Sequence, residues 1–323
     1  MTESDLILVE YTMTKILVTG GGGYVGNVLC RHLLNKGYKV KCVDNFHKGQ
    51  CDAIIPLATN PNFEFEYGDV TVLEQMKEAV HGCDAIIHLA AIVGFPACKS
   101  QPALATAVNV EGTRNMLFAR EAYNPKIPFV YASTGSVYGK VEGTCVEESP
   151  LNAVSLYGVN KRIAEEMVGT QDNTVSFRFA TGFGVSPCMR VNLLVNDFVY
   201  QAITNKILTI FQADFRRTFI HVRDMARAFT MGVENMGNWK HKVYNCGANH
   251  LNWTKRELAE YVKESTGCFV HYEEIGTDAD QRDYEVSYDK LSDEGFQCEV
   301  DMKTGIQELI KVAPLLQIRH QYA

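Results

Sequence analysis

The sequence predicts an α/β protein: a doubly wound parallel sheet with a smaller C-terminal α/β lobe. Three observations carry this expectation. Short apolar runs alternate with amphipathic helical stretches through the first half of the chain. Helices of that length between strands force crossover connections, and crossovers make neighbouring strands parallel. The run KILVTGGGGYVG (15–26) sets four consecutive glycines directly behind the first apolar strand. Beyond about Gly182 the alternation loosens into shorter segments and loops, which marks the second lobe.

Taken in order, KILVTG (15–20) reads as a buried strand and NVLCRHLLNKG (27–37) as an amphipathic helix ended by Gly37. YKVKCVDN (38–45) and FEFEYGDV (63–70) are the second and third strands, and VLEQMKEAVHG (72–82) is the helix after them. Strand DAIIHLAA (84–91), a long helix around 105–123, strand IPFVYAST (127–134), helix LYGVNKRIAEEMV (156–168) and strand TVSFRFAT (174–181) complete the regular part. In the loosened part KVYNCG (242–247) reads as a strand and TKRELAEYVKEST (254–266) as a helix. The expected organisation is an N-terminal extension over 1–12, a first domain over 13–181, and a second lobe over 182–323 from which some segments return to the sheet.

The 323 residues are 46% hydrophobic and 21% charged, enough to bury a large core. A net charge of −7 without a basic run argues against nucleic-acid binding. No apolar stretch approaches the ~20 residues of a membrane span, and the N-terminus lacks the basic flank and cleavage site of a signal peptide. Ten cysteines without a C-x-x-C pair or clustered spacing read as reduced, mostly buried thiols of a cytoplasmic protein, and no metal site is expected.

Glycines are poor strand and helix formers, so a run of them needs a reason. Gly20, Gly23 and Gly26 are spaced G-x-x-G-x-x-G between a strand and a helix. There, backbone N–H groups and the helix N-terminus can approach a pyrophosphate with no Cβ in the way. Asp44 ends the second strand, 18 residues beyond Gly26. A carboxylate at that place accepts hydrogen bonds from the adenosine ribose hydroxyls and repels a 2′-phosphate. The loop is therefore of the Rossmann type, and NAD is favoured over NADP.

SLYGVNKRIAEEM sets Tyr157 and Lys161 four residues apart, on one face of a helix. An ammonium beside a phenol favours the phenolate and makes Tyr157 a proton donor and acceptor near neutral pH. Lys161 can also bind the nicotinamide ribose. YASTGSVYG ends a strand at the carboxyl edge of the sheet, where such folds bind ligands, and Thr134 or Ser133 there can hydrogen-bond the substrate hydroxyl.

These pieces in this order resemble the extended short-chain dehydrogenase/reductase family, the NAD-dependent nucleotide-sugar epimerases and dehydratases, over nearly the whole chain from Lys15. The resemblance implies further roles. GDV supplies Asp69 and Val70 at the adenine, HLAA supplies Leu89, Ala90 and Ala91 along the cofactor, and VNVEGT supplies Asn109 near the nicotinamide end. Tyr24 and Val25 in the glycine loop, Asn45 after Asp44, and Ser133 complete the expected cofactor contacts. RTFIHVRDMA and QRDYEVSYDK match the family's substrate blocks, so Arg217 and Arg282 are implied to bind the diphosphate or nucleotide. Thr134, Ser136, Thr181 and Asn192 are expected to meet the substrate. The family also pairs its helices near 104–122 and 156–168 across a two-fold axis, so a homodimer is expected. Leu104, Val108, Met116, Leu117, Ile163 and Met167 are the apolar positions in excess of one core face.

Within the family, Gly135 and Ser136 stand where 4,6-dehydratases carry an Asp-Glu pair, and Ser136 stands where GDP-sugar 3,5-epimerases carry a cysteine. What remains is oxidation at one sugar carbon, most often C4, as an epimerase or as a dehydrogenase that releases the ketone. FRFATGFGVSPCMRVNLLVNDF (177–198) resembles a subgroup from surface-polysaccharide clusters, some of whose members stop at the 4-keto sugar. Cys188 replaces the usual arginine of that run and Asn192 a common aspartate. Cys188 is read as either a pocket residue or a packed thiol. Two other classes share the fold, a non-catalytic dinucleotide sensor and a plain NADP-dependent carbonyl reductase. The retained Tyr157 and Lys161 oppose the first, and Asp44 with the two arginine blocks opposes the second.

Overall fold

The computed structural model of the protein describes residues 14–47, 51–139, 141, 143–273 and 283–322, with side chains to residue 316. The extension over 1–12 and Arg282 lie outside the described residues. In chain order the elements begin with β1 (Lys15–Thr19), α1 (Tyr24–Asn35), β2 (Lys39–Asp44), β3 (Phe63–Tyr67), α2 (Leu73–Val80) and β4 (Ala85–His88). There follow α3 (Phe95–Ser100), α4 (Pro102–Thr106), a π-helical turn (Ala107–Glu111), α5 (Gly112–Tyr123), β5 (Phe129–Thr134), β6 (Thr144–Cys145), α6 (Leu156–Gly169) and β7 (Thr174–Phe179). The second part holds β8 (Thr181–Phe183), α7 (Leu194–Thr204), β9 (Ile207–Phe211), β10 (Arg216–His221), α8 (Val222–Glu234), α9 (Met236–Trp239) and β11 (Lys242–Cys246). It closes with β12 (Asn252–Thr254), α10 (Lys255–Thr266), β13 (Phe269–Glu273), β14 (Glu285–Val286), α11 (Asp289–Asp293) and α12 (Met302–Tyr322).

Seven strands form one sheet in the order β11-β7-β5-β4-β1-β2-β3, and each neighbouring pair is parallel. The central strands are buried on both faces, which is why they read as continuous apolar runs rather than alternating ones. Along β1 the side chains of Ile16 and Val18 enter one core with Leu29, Leu33 and Phe229 of α1 and α8. Leu17 enters the opposite core with Met76, Met116 and Ala164 of α2, α5 and α6. Successive residues thus serve opposite layers, as the pleat demands.

Sequence order runs outward in both directions from β1: β2 and β3 lie on one side, β4, β5 and β7 on the other. The carboxyl ends of β1 and β4 therefore flank the topological switch point, where connections diverge and leave a crevice. Part of the C-terminal sequence returns to this sheet, since β11 pairs with β7 and α8 packs beside α1. The smaller lobe has its own core, built from Phe183, Phe198, Leu208, Phe219, Leu258 and Ile306.

Two elements differ from the sequence reading. The first helix starts at Tyr24, within the loop, so its N-terminus itself faces the crevice. The long helix starts at Pro102 and carries the π-helical turn Ala107–Glu111 in its middle. Apolar spacing places a helix but does not specify the hydrogen-bond ladder inside it, so one wide turn goes unread.

Candidate active site

Behind β1 the glycines are required by close backbone approach. Gly20 has φ +72°, and a Cβ there would stand 2.8 Å from the backbone N of Ala90. A Cβ at Gly26 would run into the carbonyl oxygen of Gly20. Gly23 is the N-cap of α1 and has no side chain of its own to cap the helix end. The free N–H groups and the positive end of the helix dipole are left open to an anion. Asp44, at the tip of β2, accepts from the N–H of Gly22 at 3.0 Å and of Phe46 at 2.8 Å. Burial pushes its carboxyl up, against the pull of those same backbone N–H groups. Asn45 donates to Asp69 at 3.0 Å, joining the ends of β2 and β3.

The reacting end is built by β4, β5 and α6. Ser155 caps α6 by accepting from the N–H of Gly158 at 3.1 Å. The missing side chain at Gly158 lets the helix sit on the turn after β5, since a Cβ would stand 2.7 Å from the carbonyl of Ser136. Tyr157 is thereby turned to the crevice. One turn on, Lys161 donates to the carbonyl of Ala132 at 2.7 Å and to the hydroxyl of Tyr131 at 3.3 Å. Burial pulls the Lys161 pKa down to about 7. The lysine thus reaches β5, and near neutral pH its charge depends on what shares the site. Thr134 accepts from the N–H of Ser136 and donates to its hydroxyl, both at 3.2 Å.

Behind these side chains lie two buried networks that hold them. Ser133 donates to Glu165 at 2.5 Å, and Arg178 grips Glu165 with Nη2 at 2.7 Å and Nε at 3.1 Å. Arg178 also donates to Tyr138 at 3.0 Å and to the carbonyl of Glu147 at 2.8 Å. On the other side His88 bridges Thr19 at 2.7 Å and Thr113 at 3.1 Å, and burial brings it down to about 3, so it is neutral. Asn109, in the π-helical turn, accepts from the N–H of Ile92 at 2.8 Å and donates to its carbonyl at 3.0 Å. It pins the loop after β4.

All of this surrounds one cavity of about 1250 Å³. A drug-sized ligand needs roughly 300–1,000 Å³, so there is room for a dinucleotide and part of a second ligand. The wall includes the expected Gly20, Gly23, Tyr24, Val25, Gly26, Asp44, Asn45, Asp69, Val70, Leu89, Ala90, Ala91, Ser133, Thr134, Ser136, Tyr157, Lys161, Thr181 and Asn192. Asn109 is not part of the wall and acts through Ile92. Arg217 is not part of it either: it is 4% exposed on β10 and donates to the carbonyl of Arg216 at 2.8 Å. Cys188 is both of the things weighed for it, buried and on the wall. Sequence reasoning passed over Phe46, Arg190, Met225 and Tyr284, which also line the cavity. Only the position of Arg190, two residues after Cys188, carried a signal, as a cation in a loop leaving the sheet's carboxyl edge.

Residues 16–247 match the family model described as "NAD dependent epimerase/dehydratase family". The chain belongs to the NAD-dependent epimerase/dehydratase family. It is 30% identical over 285 residues to UDP-glucose 4-epimerase of Bacillus subtilis (strain 168), covering 80% of this chain and 84% of that protein. It is 26% identical over 330 residues to CDP-paratose 2-epimerase of Salmonella typhi, covering 91% and 98%. In fold it is similar to the crystal structure of UDP-glucose 4-epimerase with UDP-glucose from Thermotoga maritima, with a TM-score of 0.83 and 24% identity over 94% of this chain and 100% of that one. As a member of the epimerase/dehydratase family this protein is an NAD-dependent enzyme. The residues present fit the cofactor: the open helix end and the glycine cradle suit its pyrophosphate, and Asp44 suits its ribose diol.

Proposed function

We propose that this enzyme oxidises one carbon of a nucleotide sugar, C4, and acts as an epimerase or as a dehydrogenase releasing the keto sugar. The observation that carries the reading is the meeting of Thr134, Tyr157 and Lys161 with the glycine loop on the wall of one cavity. Bound NAD supplies the acceptor for the hydrogen that leaves the sugar carbon. Tyr157 takes the hydroxyl proton and later returns it. Thr134 or Ser133 holds the hydroxyl in line, and Lys161, while protonated, favours the Tyr157 phenolate and binds the nicotinamide ribose. The relatives include a UDP-glucose 4-epimerase and a CDP-paratose 2-epimerase, so the likeness spans more than one base and more than one reacting carbon. The absence of the dehydratase Asp-Glu pair at Gly135 and Ser136 speaks against 4,6-dehydration, and C4 is proposed because it is the carbon such enzymes most often oxidise.

The test is incubation with NAD and a panel of nucleotide sugars, followed by NMR of the products and by the near-ultraviolet absorbance of reduced nicotinamide. Tyr157→Phe should fold and bind NAD but lose about 10²–10⁴-fold in turnover, the usual worth of general acid–base catalysis. Near-native turnover in that variant would overturn the assignment.

Arg217 and Arg282 are proposed for the nucleotide diphosphate. For Arg217 this requires the side chain to turn from its present bond to the Arg216 carbonyl. Two copies are proposed to pair through α5 and α6. Val108, Met116 and Leu117, expected as surplus apolar positions, are buried in the subunit's own core. Phe118 is 56% exposed on α5 instead, beside Met167 in a surface groove. Light scattering at micromolar concentration should give a dimer, and a monomer would count against this face.

A further inference from the structure

Arg190 is a cation on the cavity wall that the mechanism above does not use. It stands in the loop between β8 and α7, with its carbonyl held by Asn196 Nδ2 at 2.9 Å. Its side chain is partly buried on the cavity wall. The Nε is buried and has no hydrogen-bond partner among the described residues. Among the described residues no carboxylate lies within ion-pair distance of the guanidinium. The titratable groups that face it are the phenols of Tyr157 and Tyr24 and the thiol of Cys188. Gly94, with φ +96°, lies beside it, and a Cβ there would touch Nη2 at an ordinary 3.6 Å. Desolvating a charged donor without an acceptor is unfavourable unless a ligand brings the acceptor. A guanidinium is also the side chain whose planar fork best matches a carboxylate.

Three anionic groups compete for it. The cofactor's pyrophosphate has the glycine cradle and the α1 N-terminus. The substrate's diphosphate sits on C1, across the pyranose ring from C4. A carboxylate at C6 hangs on C5, the direct neighbour of C4, and so lies closest to a residue facing Tyr157.

We propose that Arg190 binds a carboxylate on the sugar itself, so that the substrate is a nucleoside-diphosphate uronic acid. The inference rests on the reading that Tyr157 serves the C4 hydroxyl.

Binding to the NAD-loaded full chain tests it, by calorimetry with matched acid and neutral pairs: UDP-glucuronate with UDP-glucose, and GDP-mannuronate with GDP-mannose. The acid of one pair should bind about 10- to 100-fold tighter than its neutral partner, the range for hydrogen bonds to a charged group. R190Q should remove that preference and leave NAD affinity unchanged. R190K, which keeps the charge and loses the fork, should fall between. Equal binding of acid and neutral sugars by the native protein would overturn the proposal. So would a loss of NAD affinity in R190Q, which would give Arg190 to the cofactor. An equal loss for both sugars with a shifted pH–rate profile would also overturn it, making Arg190 a partner of Tyr157. Turnover is read separately on the same samples. A binding preference without any turnover would sink the C4 oxidation and leave the carboxylate site standing.

Discussion

Glu165→Gln probes the charge network behind the reacting strand end. Glu165 and Arg178 have side chains only 5% exposed. The carboxylate accepts from Arg178 Nη2 at 2.7 Å, twice from its Nε at 3.1 Å, and from Ser133 at 2.5 Å. Although burial disfavours the charge on Arg178, Glu165 holds its guanidinium above the ordinary arginine value. The glutamine is nearly isosteric, so packing is kept while the negative charge goes. What remains is a buried guanidinium facing the Tyr138 hydroxyl, the Glu147 carbonyl and one amide oxygen. Breaking a buried pair in this way costs about 3–5 kcal/mol. The acceptors that survive, including the new amide oxygen, place Glu165→Gln at ~3 kcal/mol, and Glu165→Ala, which also opens a cavity, at ~5 kcal/mol. Domains are stable by only about 5–15 kcal/mol, so urea unfolding should register the change clearly. The companion is Glu165→Met with Arg178→Met, which removes both charges and should recover most of the loss. A single variant within about 1 kcal/mol of native, or a double variant no better than the single, would refute the reasoning. Ser133 loses its acceptor too, so NAD affinity measured on the folded fraction should weaken.

Asp44→Ala should weaken NAD binding and raise relative tolerance of NADP, because the carboxylate both serves the ribose diol and repels a 2′-phosphate; comparing the two dissociation constants decides it, and an unchanged ratio speaks against the role. Lys161 supplies a pH dependence. With its pKa brought down to about 7 by burial, the ammonium is present below that pH and lost above it in the ligand-free protein. On the proposed contact of Lys161 with the nicotinamide ribose, NAD affinity should fall as pH rises through about 7, and Lys161→Met should flatten the curve. Native affinity that stays level from about pH 6 to about pH 9 would contradict this.

The sequence by itself determined what local chemistry can encode. A run of glycines between strand and helix has few uses, so the cradle at Gly20, Gly23 and Gly26 was legible, as was Asp44 at the next strand's tip. The four-residue spacing of Tyr157 and Lys161 fixes a shared helical face wherever the helix lies. The parallel sheet followed from strands separated by helices too long for hairpins. The tertiary structure decided everything that depends on which distant segments meet. Helical spacing suggested an ammonium beside the Tyr157 phenol, but the long lysine side chain also reaches β5 and is held by the Ala132 carbonyl and the Tyr131 hydroxyl. Asn109 is 17 residues from Ile92 in sequence, and only the fold shows that it pins that loop rather than facing the cavity. Val108, Met116 and Leu117 read as surplus because a pattern counts apolar positions without knowing how wide the covering core is. Glu165 with Arg178, and Arg190 with Tyr157, belong to different elements, and no periodicity links them. Burial then does to these side chains what sequence cannot express: it strips water from a charge and makes its state depend on the neighbours the fold supplies.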